Sequence, residues 1–270
     1  MNIKVLMFDL DGTLLTSNGI VSKNSLDTLK CAKEKGYHIG ICTGREALSV
    51  KDLLPEWGLE GLIDSIVGTG GAEVLDLSLN VHETNHFLEG NLIKEIVSHY
   101  QDMDVNFAIP YNGMIYAPFE NDMIKLLSKF DKIPYEIVDF DKFLIEPKPK
   151  VMIVCEEMVM DQVIERSKTF KSSQYKSASL KTASVLYEYM NPNISKTGGI
   201  QKILDYHNFA LQECCCFGDA DNDFDMIKNA GIGVVMGNGS SHTKSVANYI
   251  TDDNDHDGIA NFINNILFKM

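Results

Sequence analysis

Asp9 and Asp11, in the run Phe8-Asp9-Leu10-Asp11-Gly12-Thr13, are the residues of this chain best placed for chemistry. The apolar stretch Ile3 to Phe8 reads as a strand that delivers two carboxylates, a glycine and a hydroxyl at its C-terminal end. Residues two apart in an extended segment project to the same side, so both acids can face one reacting centre while Gly12 lets the backbone turn away. One acid then serves as nucleophile and the other as its proton-handling partner. On this run alone a plainer reading stays open, in which both acids only end a strand and make turn hydrogen bonds.

Three further junctions carry candidate groups. In Ile41-Cys42-Thr43-Gly44-Arg45 a strand end meets a hydroxyl, a glycine and a helix start, so Thr43 and Gly44 could hold a phosphate on free helix N–H groups. An ordinary N-cap threonine competes with that reading. In Ser195-Lys196-Thr197-Gly198-Gly199 a lysine precedes a helix, a weak signal by itself because most lysines are simply solvated. In Phe217-Gly218-Asp219-Ala220-Asp221-Asn222-Asp223 three carboxylates fall within five residues. Two like charges about 4 Å apart repel by roughly 4 kcal/mol at an effective dielectric near 20, so converging acids call for a divalent cation. Asp9, Asp11 and Asp219 offer hard oxygen ligands without a cysteine or histidine set, which suits Mg2+ better than zinc.

The elements that position these groups alternate between short apolar runs and helix-length periodic segments, which predicts an α/β protein with a mostly parallel sheet. A turn at Asn18-Gly19 leads to a helix from about Ser22 to Lys35 closed by Gly36, then a strand at His38 to Cys42 and a helix from Arg45 to Leu54 stopped by Pro55. Toward the other end, Thr197 to Tyr206 reads as a helix, Cys214 to Phe217 as a buried strand, Asp223 to Asn229 as a helix and Ile232 to Met236 as a strand. Between them the texture changes: helical stretches at 89–101, 120–131 and 157–169 are separated by strand-like pieces at 104–109, 149–155 and 173–189. The expected organisation is a core of residues 1–82 and 188–270 with an inserted α+β module at 83–187.

A chain of 270 residues with 44% apolar and 23% charged content is long enough for one large domain or two ordinary ones. No apolar run approaches the roughly 20 residues that span a bilayer, and the first charge-free stretch breaks at Asp9, so neither a membrane helix nor a signal peptide is expected and the cytoplasm is the default location. Six cysteines, three of them adjacent at 214–216, lack the spacing of a disulfide framework and read as reduced and structural. A formal charge of −14 disfavours broad binding to nucleic acid or anionic membrane, so an anionic substrate must be met by local cations. Oligomeric state is not legible.

Taken in order, FDLDGT at 8–13, TGR at 43–45, SKTGG at 195–199 and GDADND at 218–223 resemble the four motifs of the haloacid dehalogenase superfamily. The long gap between the second and third is similar to its Cof-type sugar-phosphatase branch. The resemblance covers nearly the whole chain and implies a Rossmann-like core with an inserted cap, and a Mg2+-dependent hydrolase of small phosphorylated metabolites. It implies that Asp9 attacks phosphorus to give an aspartyl-phosphate. Asp11 would act as acid and then base and lend its backbone carbonyl to the metal. Asp219 would be the second carboxylate ligand, with Asp223 acting through water or orienting the others. Leu10, Thr43, Gly44, Lys196 and Asn222 would bind the transferring phosphoryl group. The inserted cap would choose the substrate, and Tyr111, Asn112, Tyr116 and Lys148 are cap residues able to reach it. A phosphomutase that shares the intermediate is the alternative. A receiver-like regulatory protein phosphorylated on Asp9 has no use for Asp11, and a true dehalogenase needs neither Asp11 nor Mg2+.

The chain departs from that branch at Gly68-Thr69-Gly70-Gly71-Ala72, where Asn-Gly-Ala is usual; the segment lacks the Lys-Ser/Thr of a nucleotide loop and reads as a turn. His82-Glu83-Thr84-Asn85-His86 matches a zinc-protease pattern in a context unsuited to a helix. Asp253 to Gly258 matches the first half of a calcium loop but carries Asn264 at the twelfth position in place of glutamate. It reads as an acidic connection between a strand at Asn248 to Thr251 and a last helix, Ile259 to Phe268.

Overall fold

A computed structural model describes residues 2–270, which fall into two compact units. The first runs to Glu83 and resumes over Ser195–Met270; the second is Thr84–Ile194.

The first unit begins β1 (Val5–Phe8), α1 (Lys23–Glu34), β2 (His38–Cys42), α2 (Ala47–Leu53), β3 (Ser65–Gly68), β4 (Glu73–Asp76) and β5 (Val81–Thr84). Every residue of β1, β2 and β3 is buried, as expected of parallel strands covered on both faces. Helix α1 starts where the Ser22 hydroxyl accepts the Ser25 N–H at 3.1 Å, and it ends at Gly36, whose φ of 85° reverses the chain.

The second unit contains α3 (Gly90–His99), β6 (Asn106–Tyr111), β7 (Met114–Ala117), α4 (Asp122–Asp131), β8 (Tyr135–Ile137), α5 (Phe140–Phe143), β9 (Val151–Val154), α6 (Met160–Ser167), β10 (Ala178–Ala183) and β11 (Leu186–Met190). Its sheet has the order β10-β11-β9-β6-β7-β8. The pairs are antiparallel except β7 with β8. A separate core of Ile93, Ile96, Phe107, Ile153, Tyr100 and Tyr189 fills it, the two tyrosine hydroxyls meeting at 2.7 Å. The strand-like piece at 173–189 resolves into the hairpin β10–β11, and β11 pairs with β9 inside this unit.

The chain then returns to the first unit with α7 (Lys196–His207), β12 (Cys214–Gly218), α8 (Phe224–Asn229), β13 (Ile232–Val235), α9 (Ser241–Lys244), β14 (Tyr249–Ile250) and α10 (Gly258–Asn265). The complete sheet has the order β14-β13-β12-β1-β2-β3-β4-β5, parallel from β14 to β3 with β4 antiparallel to β3. β1 lies between β2 and β12, in register Val5 with Cys214 and Phe8 with Phe217. From β1 the sheet grows to one side with early strands and to the other with late ones, so a crevice opens beyond its C-terminal end. Leu6, Phe8, Ile39, Ile41, Phe217 and Phe262 pack on one face; Val5, Met7, Cys42, Ile200, Cys214 and Cys216 pack on the other. All six cysteines are free thiols, and all but Cys31 are buried.

His82 lies in β5 and His86 has a φ of 57°, so the two histidines do not share a helix. The acids of the calcium-like loop have other partners: Asp255 accepts the Ser17 N–H at 2.8 Å, and Asp257 accepts the Ser22 hydroxyl and the Asn24 amide at 2.6 Å each. They clamp the segment between β1 and α1 to the loop that follows β14.

Candidate active site

Four loops at the C-terminal ends of β1, β2 and β12 and the start of α7 supply the site. Asp9 follows β1 directly, only 6% exposed, and its N–H donates to the Phe217 carbonyl at 2.9 Å. Lys196, the first residue of α7, is 2% exposed. Its Nζ donates to Asp9 Oδ1 and to Asp223 Oδ1, both at 2.5 Å. The other oxygen of Asp223 accepts the N–H groups of Asp219 and Ala220 at 2.9 Å each, which shapes the loop after β12. Thr13 donates its hydroxyl to Asp219 Oδ1 at 2.7 Å. One carboxylate oxygen each from Asp9, Asp219 and Asp223 lies within 4.8 Å of the others.

Glycines make this convergence sterically possible. Gly12 has a φ of 81°, and a β-carbon there would stand 2.7 Å from Asp219 Oδ2. Gly218 packs so closely on Asp223 that a β-carbon would meet its side chain at 2.6 Å. The segment 68–72 is a turn between β3 and β4, as its composition predicts. It also has a task unseen in sequence: Gly71, at a φ of 114°, lies against the backbone carbonyl of Ser195 and so fits the turn under the start of α7.

The electrostatics follow from two buried carboxyls, Asp9 and Asp223, and the half-buried Asp219 gathered against one ammonium. Burial and then the Asp223 carboxylate push the Asp9 carboxyl upward, while Lys196 pulls it back. Burial and Asp223 also raise Asp219 to about 6, against the Thr13 hydrogen bond and Lys196. Burial alone would lower Lys196, yet Asp223 and Asp9 hold it well above its ordinary value, so it stays charged. An all-oxygen donor set with excess negative charge fits a hard divalent cation.

Asp11 is set apart from these three acids. Its side chain, 41% exposed, receives both Nε and Nη2 of Arg45 at 2.8 and 2.7 Å. Asp11 is thus absent from the carboxylate cluster, and a contribution to a cation from this residue would have to come from its backbone carbonyl. Arg45 belongs to the Thr43-Gly44-Arg45 motif, but nothing in its sequence context points to Asp11.

The remaining candidates follow β1, β2 and β12 in the chain. Leu10 is fully buried between Asp9 and Asp11. Thr43, 1% exposed, accepts the Arg45 N–H on its hydroxyl at 3.1 Å, and Gly44 follows it. The expectation that these two residues sit on a helix N-terminus is corrected: α2 begins only at Ala47, whose N–H donates to Glu73 at 2.7 Å. That carboxylate already occupies the helix end. Asn222 holds a buried side-chain oxygen with no hydrogen-bond partner among the described residues.

The family model of the haloacid dehalogenase-like hydrolases matches residues 6–263. The chain is 25% identical to the 5-amino-6-(5-phospho-D-ribitylamino)uracil phosphatase YwtE of Bacillus subtilis, over 98% of each chain. It superposes on a haloacid dehalogenase-like hydrolase of Bacteroides thetaiotaomicron with a TM-score of 0.87 at 24% identity, covering 98% of this chain and 99% of that one. The phosphatase BT1666 of the same organism superposes with a TM-score of 0.78 at 25% identity, over 97% and 94% of the two chains. No helix among the described residues is long and apolar enough to cross a membrane.

Proposed function

The chain belongs to the haloacid dehalogenase-like hydrolases, and from that premise we propose that it is a Mg2+-dependent phosphatase of small phosphorylated metabolites, sugar phosphates or similar monoesters. One observation carries the reading: Lys196 joins Asp9 to Asp223 while Asp219 stands within reach of both acids. Residues from the two ends of the sequence thereby build one anionic pocket around one cation-seeking point.

In this reading Asp9 attacks phosphorus in line, and the bond from phosphorus to the ester oxygen breaks as the aspartyl-phosphate forms. Asp11 gives its proton to the departing alkoxide. It then takes a proton from water as that water attacks the same phosphorus, which frees Asp9 and releases inorganic phosphate. Lys196, the Leu10 and Gly44 amides, the Thr43 hydroxyl and the Asn222 amide hold the equatorial oxygens, where charge accumulates in the transition state. Asp9, Asp219, Asp223 and the Asp11 carbonyl would hold Mg2+, which supplies charge neutralisation at the phosphoryl group. The unit Thr84–Ile194 would act as the cap that selects the leaving group. The name of the Bacillus subtilis relative makes ribityl phosphates a first class to assay.

The test is phosphate release from a panel of phosphorylated sugars, nucleotides and cofactors, with Mg2+ and then with chelator. Asp9→Asn should abolish turnover, Asp11→Asn should cut it strongly, and chelation should stop it. Full activity in Asp9→Asn would refute the scheme.

A further inference from the structure

At the opposite end of the strands from the carboxylate pocket lies a second cluster. His38 opens β2, Asp76 closes β4, and His207 is the last residue of α7. Each offers one donor atom, and the three atoms lie within 4.8 Å of one another. Asp76 is fully buried and His38 is 8% exposed, while the His207 side chain, at 19%, reaches solvent.

The geometry is more than one ion pair. His207 Nε2 lies 2.5 Å from Asp76 Oδ2, and the other Asp76 oxygen is fixed by the Ser78 hydroxyl at 2.7 Å and the Leu79 N–H at 2.8 Å. Such outer hydrogen bonds aim a carboxylate the way metal sites require. A buried second imidazole is then packed on the first: the His38 and His207 rings are 4.6 Å apart, and His38 Nε2 is steadied by the Ser65 hydroxyl at 2.9 Å. Lys33, whose charge bears on His38, is paired with Asp64.

We propose that His38, Asp76 and His207 form a binding site for a divalent transition metal, zinc by its liking for imidazole and carboxylate donors. The incoming ion replaces the proton shared by His207 Nε2 and Asp76 Oδ2, and that proton leaves to solvent. The three donors draw in to about 2.0–2.2 Å from the ion, and water completes the tetrahedron on the His207 side. The ion staples β2, β4 and the end of α7, so its role is structural. The inference does not rest on the phosphatase reading.

The experiment uses the full chain carrying Asp219→Asn, which cripples the carboxylate pocket, after stripping with chelator. Zinc titration by calorimetry should give one equivalent, zinc should raise the melting temperature, and Co2+ should give visible bands of nitrogen and oxygen coordination. Adding His207→Gln or His38→Gln should weaken zinc binding by at least about tenfold and remove the thermal shift. His207→Gln alone, in otherwise unaltered protein, should keep its Mg2+-supported activity. Absence of zinc uptake by the Asp219→Asn protein, or unchanged uptake after either histidine is replaced, overturns the proposal.

Discussion

Arg45 grips Asp11 with two parallel hydrogen bonds, Nε to Oδ2 at 2.8 Å and Nη2 to Oδ1 at 2.7 Å. A fork of this kind fixes a carboxylate in orientation as well as position. Arg45→Lys keeps the charge but loses the fork, so kcat should fall about tenfold with little change in KM; Arg45→Met should lower it further, within the roughly 100- to 10000-fold range that acid–base catalysis supplies. Steady-state kinetics of the two variants measure this, and equal activity in both would deny Arg45 a positioning role.

Lys196→Met should remove turnover and also weaken the fold. It strands Asp9 and Asp223 as unpaired buried charges, a change that costs about 3–5 kcal/mol. Urea denaturation at neutral pH reads the loss. Added Mg2+ should restore part of the stability, because the cation meets the same carboxylates.

Gly71→Ala tests a contact remote from the acids. At a φ of 114°, and with the Ser195 carbonyl in the way of a β-carbon, the alanine should destabilise by about 1–3 kcal/mol. Because Ser195 caps the helix that Lys196 begins, accepting the Gly198 N–H at 3.0 Å, kcat should fall with it. A stability loss without any kinetic loss would show that the displacement stops short of Lys196.

Acid sensitivity should begin well above the carboxylate range. Burial lowers the His38 imidazole below its ordinary value; Asp64 and Asp76 oppose this, and His207 and Lys33 add to it. The unfolded chain therefore takes up a proton near pH 6.5 that the folded one refuses until lower pH. Stability from this residue is complete above about 6.5 and declines as pH falls through the folded value. In chelator-treated protein the raised Asp219 carboxyl works in the opposite sense near pH 6, so the His38 share is read as a difference: between pH 7.5 and 5.5 the denaturation midpoint of the unaltered protein should lose ground relative to that of His38→Gln.

The strands carrying Asp9, Thr43 and Asp219 were readable because buried parallel strands are unbroken apolar runs ending in polar residues. Asp9, Lys196, Asp219 and Asp223 were legible as a set only through the order of their motifs, since no local pattern links positions so far apart. β3, β4, β5, β7 and β8 were missed. They are three or four residues long; β7 alternates burial too briefly to establish a period, and β8 has no buried residue to mark it. The start of α2 was misjudged because its cap is a carboxylate from β4, Glu73, delivered by tertiary structure. Arg45 escaped for a related reason: a surface-type residue gains its task only when β1 and β2 lie side by side. The His38, Asp76 and His207 cluster has no sequence spacing that betrays it.

The pairing of β1 with β12 joins residues about two hundred positions apart, Val5 with Cys214. During synthesis a ribosome makes Asp9 early, yet a nascent chain halted before residue 196 still lacks the ammonium that partners it and both later acids. On the proposed mechanism, turnover therefore waits until residue 223 has been made, and a product truncated before Lys196 should be inert.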